Sequence, residues 1–243
     1  MSRINDLLIA AIKAAGDKPP DTVAAPVKKA YSERLSNTIA LALAEELRHR
    51  GMKGARPVGP GELGLSGAER RLAGGIGAKK VDVTWATEES GLLFAASVKT
   101  IMFRDGTTKN FQKNLTNRRG DILFESVTLH RRFPYSVLSA FLLLDHQAEH
   151  DGTALRNSTF VNAFPRLRLF TRRADPAGRD EQFERFFLLL ADVNQFQPSI
   201  RAFEVNDSET EIDLSSAIDE MLELLVERNF DHYETSNGNI RLT

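Results

Sequence analysis

Apolar and polar residues recur along this chain in two periods, and the points where the period changes divide it into elements. The opening MSRINDLLIAAIKAAGDK reads as an amphipathic helix over residues 1–15, and GDKPPDTVAAP behind it is a breaker-rich linker. From about Tyr31 to Arg50 the residues Leu35, Ile39, Ala42, Leu43 and Leu47 return on one helical face, with Gly51 as the stop. Glu46 lies on that stripe, a carboxylate aimed at the core, whereas Glu45 points outside it. Residues 51–77 are glycine-rich and read as loop, with a short helix at about Gly67 to Ala73.

The period then becomes two. Val81, Val83 and Trp85 oppose Asp82 and Thr84, and after a turn about Glu88 to Gly91, Phe94, Ala96 and Val98 oppose Ala95, Ser97 and Lys99. FRDGTTKN is the next turn. A helix from about Phe111 to Arg132 follows, with Leu115, Ile122, Val127 and Leu129 apolar and Gln112, Lys113, Arg118, Arg119, Asp121 and Glu125 decorating the rest, and Pro134 ends it. YSVLSAFLLLD, Tyr135 to Asp145, is the continuous apolar run of a strand covered on both faces. Strands at about Arg166 to Thr171, Phe186 to Val193 and Ile200 to Val205 precede a helix over Leu214 to Arg228, whose apolar face is Leu214, Ile218, Met221, Leu222 and Leu225. The pattern predicts an α/β (α+β) chain folding as a single domain over 1–243. Its core spans about 31–146, with an N-terminal helix at 1–15 and a C-terminal strand-and-helix extension at 160–243.

The 42% of hydrophobic residues in 243 are ample for a buried core. No run approaches the roughly 18 apolar residues of a membrane span, so no membrane partner is expected. The absence of cysteine rules out disulfides and thiolate metal sites, and with no export signature the cytoplasm is the expected compartment. A net charge of −1 conceals a gradient. Basic doublets recur at Arg70-Arg71, Lys79-Lys80, Arg118-Arg119, Arg131-Arg132 and Arg172-Arg173, while acids collect between Glu204 and Glu227. Taken together the doublets permit a local basic groove.

Two motif matches fail on context. GPGELG, Gly59 to Gly64, has the spacing of a dinucleotide fingerprint but neither the strand before it nor the helix after it. In DHQAEHD, His146 and His150 stand four apart without a third ligand and read as a surface loop. Asp82 and Lys99 are different. A simple hairpin register sets Asp82 opposite Ser97 or a near neighbour, with Lys99 one step along the same face and Glu46 approaching from the preceding helix. Two carboxylates with the Val98 carbonyl can hold Mg²⁺, a hard cation that prefers oxygen, and a nearby lysine can orient or deprotonate water or stabilise anionic oxygens.

Asp82, a spacer, then Ser97-Val98-Lys99, set in the order helix, strand, strand, helix, strand, resembles the PD-(D/E)xK nuclease superfamily, which includes many restriction endonucleases. The likeness covers roughly Tyr31 to Asp145. It implies a restriction endonuclease-like core, a mixed central sheet flanked by helices, and Mg²⁺-dependent hydrolysis of DNA phosphodiesters, with Mn²⁺ as a substitute. By that likeness Asp82 and Lys99 take the places of the motif aspartate and lysine, and Glu46 is similar to an acid that some members supply from their first helix. Gln112 sits where some members place a polar residue. Val81 stands in place of the motif proline and Ser97 in place of the motif acid. Either Glu46 supplies the missing charge, with the Ser97 hydroxyl or a bridging water completing the shell, or the metal site is weakened or dead and the chain binds nucleic acid or a protein without cutting. Lys109, Lys113, Arg118 and Arg119 are candidate phosphate contacts, and Arg166, Arg168, Arg172 and Arg173 candidate base readers. The resemblance also implies a homodimer, and a methyltransferase encoded nearby is a possible partner of such an enzyme.

Overall fold

The computed structural model describes residues 2–59, 70–73 and 78–243. Five strands form one sheet in the order β3-β4-β5-β6-β7: β3 (Val83–Thr87), β4 (Gly91–Ile101), β5 (Val137–Asp145), β6 (Arg185–Asp192) and β7 (Ser199–Glu204). β3 and β7 run antiparallel to their neighbours, and β4, β5 and β6 are mutually parallel, so the sheet is mixed. Parallel neighbours need crossovers, and helices supply them. α3 (Gln112–His130) joins β4 to β5, and α4 (Thr159–Leu167) lies between β5 and β6. Every residue of β5 is buried, as its unbroken apolar run requires.

Alternation sorts the strand side chains into two cores. Phe94, Ala96 and Val98 of β4, Phe141 and Leu143 of β5 and Phe187 and Leu189 of β6 pack with α1 (Arg3–Ala15), α2 (Ala25–His49) and α5 (Leu214–Arg228). Ala95 and Ile101, Leu138 and Leu142, and Phe186 and Leu188 pack with α3 and α4 on the opposite face. The result is three layers, with Ser97 and Lys99 carried by the face that α3 covers. Among the described residues no helix is long and apolar enough to cross a membrane.

Several elements differ from expectation. The strand expected at Arg166 to Thr171 is instead the end of α4 and a 3₁₀ turn, Arg168–Phe170. Phe160, Ala163, Phe164 and Leu167 are buried at helical spacing, and Ser158 caps the start by accepting from the Val161 N–H at 3.3 Å. That stripe outweighs the two-residue alternation of RLRLF. α2 begins at Ala25, earlier than expected, with Pro26 in its first turn, where a missing N–H is harmless. Residues 70–73 are a strand, β1 (Arg70–Ala73), paired with β2 (Ala78–Val81), where a short helix was expected. The remainder of that expected helix and most of Gly59 to Gly64 lie outside the described residues. A hairpin of β8 (Tyr233–Ser236) and β9 (Asn239–Leu242) turns through Asn237 and Gly238, both at positive φ, and was not anticipated.

Candidate active site

Strand pairing aligns Val83 with Ala96 and Trp85 with Phe94, and continuing that register sets Asp82 across from Ser97. The expected geometry of the hairpin therefore holds at its chemical residues. Asp82 sits at a bend between β2 and β3. Its Oδ2 accepts from the Val98 backbone N–H at 2.7 Å and from the Lys99 ammonium at 3.0 Å. Val81 and Val83 flank that bend and enter opposite cores, so the alternation expected across Asp82 is broken there.

The second carboxylate at this point is Glu125 of α3. Its Oε1 lies 3.0 Å from Lys99 Nζ and its Oε2 accepts from the Ser97 hydroxyl. Asp82 and Glu125 thus share one cation, and their oxygens lie within two hydrogen-bond lengths of each other. Glu125 is buried, Lys99 nearly so, and Asp82 is partly open to solvent. Burial works against the charge on Lys99, but the Glu125 and Asp82 carboxylates outweigh it and hold the ammonium above its ordinary pKa. Lys99 is therefore a cation at neutral pH.

Glu46 does not belong to this cluster. It projects from the C-terminal half of α2, in the layer on the other side of the sheet from Lys99. Its two oxygens accept from Arg3 Nη1 at 2.6 Å and Arg50 Nε at 2.7 Å. Arg50 continues to Asp219, Ser215 and the Gly238 carbonyl, so Glu46 ties α1, α2, α5 and the β8–β9 turn together. Glu125 was readable by the logic that singled out Glu46. It stands three residues after Ile122 and four before Leu129, on the buried stripe of its helix.

Asp82 and Lys99 open onto a cleft of about 1030 Å³ between the N-terminal half of α2, the end of β4 and the first turns of α3. Six basic side chains line it against three acids, Glu33, Asp82 and Asp105. Asp105 shapes the rim. It accepts from the Thr108 and Thr107 N–H groups and from Lys113, and these bonds, the Thr108 N–H first, hold its carboxyl far below the usual range.

Of the residues expected to touch phosphate, Arg118 lines this cleft, and Lys113 stands at its rim on Asp105. Lys109 is exposed on the turn at positive φ, Gln112 reaches the Asn157 carbonyl at 3.4 Å, and Arg119 lies over the Phe170 ring; none of these three lines the cleft. Arg166, Arg168 and Arg172 lie on and beyond α4, also away from it. Arg173 cannot read bases. Its side chain is wholly buried, paired with Glu184 at 3.3 Å and bonded to the Pro134 carbonyl at 2.9 Å. Glu184 also accepts from Arg228, His130 and the Leu138 N–H, which makes Arg173 part of an interior clasp. His146 begins a 3₁₀ turn, His146–Glu149, and His150 follows that turn. Among the described residues no group of three or more His, Cys, Asp or Glu side chains is placed to hold a metal. Comparisons with protein-family models, curated proteins and solved structures return no match for this chain.

Proposed function

We propose that this chain is a restriction endonuclease-like, divalent-metal-dependent nuclease that hydrolyses DNA phosphodiester bonds at the Asp82, Lys99 and Glu125 cluster. The observation that carries the reading is the single ammonium held 3.0 Å from each of two carboxylates at the floor of a basic cleft. A charge-paired lysine that lines a cleft is a functional-site candidate, which supports the reading.

The donor set suits a hard cation. Asp82 and Glu125 are carboxylates already drawn together around one positive charge, and Asp82 is partly open to the cleft, so these two residues would hold Mg²⁺ or Mn²⁺. Glu125, reaching in from α3, fills the place of the acid that Ser97 lacks. When bound, the metal supplies Lewis acidity, acidifying water and screening phosphate charge.

The chain's own residues supply the rest. Lys99, 3.0 Å from both carboxylates, is placed to stabilise the negative charge that builds on the phosphoryl oxygens during in-line attack by water. The Val98 N–H fixes the aim of Asp82, and the Ser97 hydroxyl fixes that of Glu125. Ser97 is thus a positioning residue. Cations around the cleft hold the flanking phosphates.

A second reading, binding without cutting, is favoured by one observation: both Glu125 oxygens and Asp82 Oδ2 already have protein partners. Incubating supercoiled plasmid and single-stranded DNA with wild type and Lys99→Ala separates the two. With Mg²⁺ or Mn²⁺ the wild type cuts and the variant binds but does not cut, and EDTA stops the reaction. Wild type that leaves every substrate intact in both metals, while still binding it, establishes the second reading.

A further inference from the structure

We infer that the cleft takes a single-stranded polynucleotide, drawn across Asp82 and Lys99, in preference to a duplex; this rests on the phosphodiesterase reading above. The cleft has two walls. α2 is 25 residues, roughly 37 Å, and its N-terminal end forms one wall with Lys28, Lys29 and Asn37. The opposite wall presents Arg104, Asn117 and Arg118. Positive charge therefore faces the gap from both sides, with the proposed cutting residues on the floor between. One backbone in the gap lies within reach of both sets of cations, whereas a duplex carries its two backbones on the outside of a wide cylinder.

Volume separates the alternatives. One major groove is about 12 Å wide and 8.5 Å deep, a section of roughly 100 Å². The cleft, about 1030 Å³ and open to solvent, equals that section over only about three base steps. It sits at the top of the range for small-molecule pockets, about 1,000 Å³, which admits a short run of nucleotides.

The walls are also set for a flexible strand. Arg104 is held by Gln147 at 2.9 Å and lies over the Phe111 ring, so its direction is fixed before any ligand arrives. The pairs that compete with phosphate, Arg118 with Asp121 at 3.1 Å and Lys29 with Glu33 at 3.7 Å, are exposed and weak. Asn37 and Asn117 line the same walls and add neutral amides beside the cations.

Fluorescence anisotropy on the wild-type chain in EDTA tests this, using single-stranded DNA, single-stranded RNA and blunt duplex of about 12 nucleotides between about 20 and 200 mM salt. One of the two single strands binds at least about tenfold more tightly than the duplex, with a log–log salt slope near −3, as expected for four cations at about −0.7 each. Replacing exposed Lys29 and Arg118 together with alanine lowers the slope in magnitude by about 1.4 and affinity by at least about tenfold, with an unchanged circular dichroism spectrum. Duplex binding equal to or tighter than both strands overturns the inference, and so does the absence of strand binding at the lowest salt. Duplex cutting with Mg²⁺ but no strand preference leaves the nuclease reading standing and removes this one. Strand preference without cutting in any metal does the reverse.

Discussion

Glu125 and Glu46 are both buried, and replacing each with glutamine has opposite consequences for metal and for stability. Glu125→Gln keeps the size of the side chain and removes its charge. Lys99 then keeps one carboxylate partner, Asp82 at 3.0 Å, and Ser97 keeps an amide oxygen to bond. At an effective dielectric of about 20, a unit pair at 3.0 Å attracts by roughly 5 kcal/mol before desolvation is subtracted. Because the ammonium is not orphaned, the net loss is about 1–2 kcal/mol, or a fall in Tm of about 2–8 °C for a chain of this size. Glu46→Gln removes the partner shared by Arg3 and Arg50 from a side chain 2 % exposed, and costs about 3 kcal/mol, roughly 6–12 °C. The metal response runs the other way. A cation at a hundred times its Kd stabilises the native chain by about 2.7 kcal/mol. Differential scanning fluorimetry with and without Mg²⁺ therefore shows an upward shift in wild type and in Glu46→Gln, none in Glu125→Gln, and plasmid cleavage follows the same division. If Glu125→Gln retains the full metal shift and activity while Glu46→Gln loses both and remains folded, the assignment of the second carboxylate is wrong.

Three further outcomes follow from groups outside the cleft. Glu184 is buried against burial's own tendency to raise its pKa, but His130 and Arg228 hold it below the ordinary glutamate value. A depressed carboxyl stabilises the fold above its unfolded pKa of about 4.3 and loses that contribution as pH falls through the lower folded value. Glu184→Gln is thus less stable than wild type at neutral pH by about 3–5 kcal/mol, and urea titrations show the gap narrowing under acid. Tyr31 is pushed up to about 12, chiefly by burial and then by Asp145, and its hydroxyl has no hydrogen-bond partner among the described residues. Tyr31→Phe removes the alkaline phenolate transition near 12 from an ultraviolet titration and leaves stability equal or higher; a clear loss of stability shows that the hydroxyl is bonded. Gly51 has φ +100, and an added Cβ would collide with the Ile240 carbonyl oxygen. Gly51→Ala therefore destabilises by about 2 kcal/mol and frees the β8–β9 hairpin to faster amide exchange, and normal protection there refutes the clash.

What the sequence disclosed follows the range of each physical rule. Strand alternation is local, and it put Ser97 and Lys99 on one face of β4, which Asp82 meets from the bend before β3. The all-apolar β5 run and the five-residue stripe of α5 were readable for the same reason. Which helix covers which face is not local. Glu46 and Glu125 are both acids on buried helical stripes, and only the handed path of the chain decides that α3 crosses over Ser97 and Lys99 while α2 covers Val98. Two of the misread stretches had visible signals that a stronger pattern masked. RLRLF imitates a strand at the end of a helix, and Asn237-Gly238 announces a hairpin whose strands are only four residues each.

The early start of α2 has the largest functional consequence. Taking the helix from Tyr31 leaves Lys28 and Lys29 in a linker, where they are unremarkable charges. Starting it at Ala25 places them about one turn before Tyr31 and two before Leu35, which are buried, so their side chains occupy a rigid wall beside the end of β4. A chain of net charge −1 can then present a basic cleft, because acids are concentrated on α5 and the segment before it while six cations converge where four separate stretches meet. Net charge sums over the whole surface, but a phosphate within a Debye length of about 8 Å responds mainly to the cleft it enters. The local charge of the cleft, and not the net charge, is therefore what the proposed reading rests on.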